Sequence, residues 1–198
     1  HMELPVGEFI SQGLDKEVPE AARTLLESNV KDEIKHDLAL GFIVESHGAD
    51  PIAEIEAIKL RDAWIQHPDH TILKALVAER AIFFVLLPMF RFLGDAALRT
   101  VSADISRDEQ IHVATNSLVC RELGLVPSNS LDKLRKATIA WVLQPLKTSP
   151  DKHLDKSFWL DASDRLMYEG KAPQFADTKA ARMPAFFEHA NTNLPQYA

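Results

Sequence analysis

Two short runs, Glu33-Ile-Lys-His36 and Glu109-Gln-Ile-His112, constrain this chain more than anything else in it. Both read Glu-x-x-His. On a helix, positions i and i+3 share a face, so each run aims one carboxylate and one imidazole at a common point. Each run also lies on an apolar stripe. Around the first, Leu26, Val30, Leu40 and Ile43/Val44 recur at three-to-four spacing, and only Glu33, His36 and Asp37 interrupt them. Burying four such groups without partners costs on the order of several kcal/mol. A bound cation removes that cost, because carboxylates and neutral imidazoles are its ligands.

Two such helices need further carboxylates to hold two metals. In ferritin-like bundles, one Glu from each of two other helices completes the set. Glu79 fits one place. It is an acid inside "LVAERAIFFVLL", and the stripe Ile72, Ala75/Leu76, Glu79, Ile82/Phe83, Leu86 turns it inward. The other donor is expected ahead of Glu33. Glu8, in "VGEFIS", is taken for it, with Glu3 and Asp15 as competitors. Asp108, beside Glu109, is either a solvated acid or the acceptor behind a ligand imidazole, and Asp37 is similar. His47, His67, His70, His153 and His189 sit near helix ends or in polar stretches and read as solvated. Trp64, Trp141 and Trp159 read as packing residues, and Cys120 as inert core.

The rest of the chain reads as helices around that site. Only 7 of the 198 residues are Gly, which disfavours a strand-and-turn architecture. Helical periodicity runs from Pro19 to Gly48, from Asp50 to His67 and from His70 to Leu93, with Pro88 expected to kink or break the third. Further helices are expected over 98–124, 129–146 and 156–170. The segment ahead of Glu17 is at best a short helix, and the tail from Lys171 looks irregular. The fold class is therefore all-α: a ferritin-like helical bundle with a dinuclear metal site in its core. One domain is expected over 1–198, with a metal-binding bundle to residue 145 and a C-terminal helix and tail over 146–198. A net charge of −7 without a basic run argues against nucleic acid. The longest apolar stretch, "AIFFVLLPMF", is half of what a membrane span needs. A single cysteine and no signal peptide fit a cytoplasmic protein.

The words themselves resemble a known family. "ISRDEQIH" (105–112) closely resembles the "ISRDE-x-x-H" of the small subunit of class I ribonucleotide reductase. "AERAIFF" resembles the helix of that family's third ligand, and "EVPEAARTLLESNVKDEIKH" its first Glu-x-x-His helix. "SDRLMYEG" is similar to its "ADRL" helix and "PAFFEHAN" to its "NFFEKR" segment. The matches keep the family order. The resemblance implies a homodimer with two metal ions, iron and/or manganese. These activate oxygen and supply an oxidising equivalent to a large catalytic subunit for deoxyribonucleotide synthesis. Glu33, His36, Glu79, Glu109 and His112 match ligand positions, and Glu8 takes the first, at a shorter spacing than usual. The chain is also shorter than most members. The family commonly has a radical tyrosine four residues after the first ligand histidine; here that residue is Leu40. The oxidising equivalent is then expected to stay on the metals. Tyr197 reads as an ordinary terminal tyrosine. The second expectation is a stand-alone dimetal oxidase or oxygenase with a small apolar substrate, marked by a dry pocket lined by residues such as Phe83 and Leu86.

Overall fold

The computed structural model describes residues 1–14 and 18–175. In chain order its helices are α1 (Glu3–Leu14), α2 (Glu20–His47), α3 (Pro51–Gln66), α4 (Thr71–Ala78), a wide π turn (Glu79–Phe83), α5 (Phe84–Leu93), α6 (Ala96–Glu122), α7 (Asn129–Val142) and α8 (Lys156–Glu169). No strand occurs among the described residues. None of their helices is long and apolar enough to cross a membrane.

Local chemistry sets the helix ends. The side chains of Asp50, Asp95, Ser128 and Asp155 each accept a backbone N–H in the first turn of α3, α6, α7 and α8. Asp95 starts α6 slightly ahead of the apolar pattern. Gly170 closes α8 in the left-handed region, at φ 73°.

All eight residues of α4 are buried, and α1, α6 and α7 pack against it. Helix α1 is a correction to the short segment expected there. It runs for 12 residues and buries Pro5, Val6, Phe9 and Ile10. Small residues let it come close: a Cβ at Gly7 would stand 3.1 Å from the Cβ of Glu33, and one at Gly13 would run into Ile72. Helix α3 is fastened at its end. The buried Lys74 ammonium donates to the carbonyls of Trp64, Ile65 and His67. The Trp64 indole donates to Thr138 on α7.

Pro88 does not break its helix. It lies inside α5, and the irregularity comes a turn earlier, in the wide turn that ends at Phe84. Proline cannot donate to the carbonyl four residues back, which is that of Phe84. The N–H of Phe84 reaches five residues back, to the carbonyl of Glu79.

A second core joins α5, α7 and α8 through Val85, Ile139, Leu143, Trp159 and Ala162. Beside it the fully buried Arg135 binds Asp132, Asp164 and Ser163, and Ser163 donates to the carbonyl of Ala81. Arg135→Ala is expected to destabilise the fold by about 3 kcal/mol, because it leaves a void and unpaired partners. Chemical denaturation measures this directly.

Candidate metal centre

Six side chains from separate parts of the chain converge between α1, α2, α6 and the wide turn. Glu3, Glu33, His36 and Glu109 place ligand atoms within 4.8 Å of one another, and so do Glu33, Glu79, Glu109 and His112. Glu33 and Glu109 belong to both groups. All six side chains are buried. The two rings lie 5.8 Å apart. Both turn Nδ1 inward: His36 Nδ1 is 3.4 Å from Glu109 and 3.9 Å from Glu33 and from Glu3. His112 Nδ1 is 2.9 Å from Glu33, 3.6 Å from Glu109 and 4.0 Å from Glu79.

The outer nitrogens meet carboxylates in a crossed pattern. His36 Nε2 is hydrogen-bonded to Asp108 at 3.1 Å, and His112 Nε2 faces Asp32 at 3.6 Å. Each Asp immediately precedes one metal-site Glu and stands behind the histidine of the other helix. Such acceptors orient a ligand ring and raise its basicity. The two differ, because Asp32 also accepts from Lys35 at 2.7 Å.

Buried polar atoms are ordinarily hydrogen-bonded. Here both oxygens of Glu33 and Glu109, Oε2 of Glu3, Oε1 of Glu79 and Nδ1 of each histidine make no hydrogen bond. Repulsion among the acids is severe without an ion. Burial, then the charges of Glu33 and Glu109, holds Glu3 well above the usual carboxylate range, and burial with Glu109 and Glu33 does the same to Glu79. Burial opposes charge on the histidines, but Glu109 and Glu33 outweigh it, pushing His36 up to about 10 and His112 up to about 11. Four carboxylates offset the charge of two divalent ions, so the residues present can hold metal.

Protons must leave when metal enters, since ligand imidazoles are neutral and ligand carboxylates ionised. Loading at neutral pH is therefore expected to release at least two protons per chain, from His36 and His112. Affinity should fall as the pH is lowered. Titration of metal into weakly buffered protein with a pH indicator measures both.

One expected ligand is corrected. Glu8 is exposed and accepts a hydrogen bond from Gln12, outside both groups. Glu3, a named competitor, is buried within one of them. The reason is helical phase. Five residues turn a helix by about 140° beyond a full turn, so Glu8 falls with Leu4, Ser11 and Gln12 on the outer face. Asp15 lies outside the described residues. Asp37 is in neither group, and the acceptors behind the rings are Asp108 and Asp32. Spacing within one helix does not single out Asp32, although "DEIKH" and "DEQIH" share the same Asp-Glu pair. The same holds for Asn116, which donates to Glu79 Oε2 at 2.8 Å, four residues beyond His112 on the same face.

Away from the centre, His47 is exposed and pairs with Asp95. His67 and His70 are half-buried, and His70 accepts from the N–H of Ile72. His153 departs from the solvated expectation, stacking on Phe92 with centroids 3.5 Å apart. His189, Tyr197 and "PAFFEHAN" lie outside the described residues. Cys120 is buried, and burial followed by the charge of Glu79 pushes its thiol up to about 12, as suits an inert core residue.

An apolar cavity of about 230 Å³ adjoins the centre. Its lining includes Glu3, Leu40, Ile82, Phe83, Leu86 and Trp141. No known protein family matches the chain, and no curated protein or solved structure matches it either.

Proposed function

We propose that the chain is a ferritin-like dimetal-carboxylate protein that serves as the small subunit of a ribonucleotide reductase. The observation that carries the metal assignment is the sharing of Glu33 and Glu109 between two buried ligand groups. The resemblance of "ISRDEQIH" and the segments around it supports the choice of reaction. Glu3, Glu33, His36 and Glu109 would hold one ion, and Glu33, Glu79, Glu109 and His112 would hold the other. When bound, iron and/or manganese ions supply the redox capacity to reduce dioxygen and to retain an oxidising equivalent.

The chain's own residues do the rest. Phe83 and Ile82 keep the centre dry. Asp108 holds His36 by its outer nitrogen, and its side chain is 45% exposed. That gives an electron a short bonded route between the centre and a large subunit docked outside. Leu40 has no redox chemistry, so no side-chain radical forms four residues after His36. The test is ribonucleotide reduction by metal-loaded chain, dioxygen and a large subunit. Turnover supports the proposal, and its absence under every iron and manganese loading defeats it.

The cavity favours a second reading, an oxidase or oxygenase acting on a small apolar substrate. It is apolar, adjoins Glu3 and has Leu40, Phe83 and Leu86 in its wall. Ala57→Phe, which narrows the same cavity, separates the two. A reductase subunit keeps its turnover, whereas an oxygenase loses dioxygen consumption driven by an apolar substrate.

A further inference from the structure

Six buried side chains can hold metal only if a hydrated cation can reach them. Glu33, His36, Glu79, Glu109 and His112 are 0–3% exposed, and Glu3 is 7% exposed. Glu3 is also the first residue of α1, and it stands between two hollows. The apolar cavity on one side offers nothing to replace a cation's water. On the other side a groove of about 600 Å³ opens to solvent between α1, α2 and α3.

That groove is acidic, and its acids lie at different depths. Glu8 and Glu54 are exposed, Asp37 is half-buried and Glu3 is buried. Its two basic side chains already face acids. Arg61 donates to Asp62, and His1 is 3.5 Å from Glu54. At the inner end, Glu3 Oε2 is buried without a hydrogen bond, 3.9 Å from His36 Nδ1. A dication moving inward loses water at each depth, and burying its charge is costly unless a carboxylate takes the water's place. Clefts lined by one sign of charge also concentrate ions of the other. A smaller hollow across α1 touches Glu33, but its wall includes Leu4, Val30 and Ile34, and Glu33 is 0% exposed.

We propose that the groove between α1, α2 and α3 is the entry for divalent cations, with Glu8 and Asp37 drawing them in and Glu3 passing them to the centre. The proposal rests on the metal assignment above and on no particular reaction. Glu8 and Asp37 act on the route and not on the bound ion, so their role is kinetic. Losing a ligand speeds release, whereas losing a group on the route slows entry without speeding release.

Stopped-flow mixing of metal-free chain with cobalt(II), followed by a fluorescent indicator of the free ion, measures entry. Mixing loaded chain with excess chelator measures release. Glu8→Gln with Asp37→Asn should slow entry roughly tenfold at low ionic strength. Two ions should still bind, and release should be no faster than in wild type. Glu27→Gln with Glu122→Gln removes the same charge outside the groove and should load like wild type. Gly41, in the groove wall, tests the sign of the effect. A Cβ added there meets nothing, so α2 accepts both Gly41→Arg and Gly41→Glu. Gly41→Arg should slow entry severalfold and Gly41→Glu should not. Added salt should shrink each difference. Entry into the Glu8/Asp37 variant as fast as into the Glu27/Glu122 variant overturns the proposal. So does faster release from the Glu8/Asp37 variant, or equal entry into the two Gly41 variants. Wild-type chain that binds no cobalt defeats the metal assignment itself, and the groove's role with it.

Discussion

Glu109→Ala is expected to bind neither of two metal ions, and Glu33→Ala likewise, whereas Glu79→Ala and Glu3→Ala should each retain one. The difference follows from geometry. Glu33 and Glu109 place atoms in both ligand groups, while Glu3 and Glu79 each belong to one. Loss of an acceptor behind a ligand ring alone costs about 10- to 100-fold in metal affinity, so loss of a ligand should cost at least about 100-fold. Glu8→Ala should leave both ions in place, since that side chain faces outward. Elemental analysis after loading and desalting measures the stoichiometry. Full occupancy in Glu109→Ala would remove the shared-carboxylate arrangement.

The second large effect has opposite signs with and without metal. Glu79→Gln is expected to stabilise the metal-free protein at neutral pH, on the order of 2 kcal/mol. Glu79 is fully buried near Glu109 and Glu33, and its carboxyl is held well above the ordinary value. The unfolded chain gives up that proton first. The group's contribution to metal-free stability therefore falls as pH rises above the ordinary carboxyl value and through the folded one. The amide carries no charge, keeps an oxygen for Asn116 and lacks that slope. Below the ordinary value both side chains are neutral and the advantage disappears. In loaded protein the change removes a charged ligand and should lower the melting temperature. Denaturation curves across pH, with and without metal, check each sign.

The sequence revealed much of the site because periodicity records burial. Glu33, His36, Glu79, Glu109 and His112 all interrupt apolar stripes on long helices, and the structure brings all five together. Glu3 was harder to place. It opens its helix, with too little pattern before it to fix a phase, and Glu8 had apolar neighbours in sequence but not around the helix. The length of α1 is hard to read from sequence for a related reason. Its hold on the fold comes from close approach at Gly7 and Gly13, which a pattern of large apolar residues does not register. Pro88 identified an irregular helix, but the accommodation lies in residues 79–83, where the hydrogen-bonding pattern alone reveals it. Asp32 and Asn116 act across helices, so their partners are not evident from spacing within one.

The wide turn at Glu79–Phe83 also bears on how the gene can change. One surplus residue there offsets the helix before it from the helix after it. Deleting a single codon within the turn would restore regular winding, and the residues beyond would swing by about 100° and retreat by about 1.5 Å. Glu79 would keep its place only if Val85 and Leu87 abandoned theirs in the core. Substitutions inside the turn need only respect size and polarity, but a change in its length puts the buried Glu79 of the candidate centre and a packed core in competition. Length, more than composition, is what selection must guard at this point of the chain.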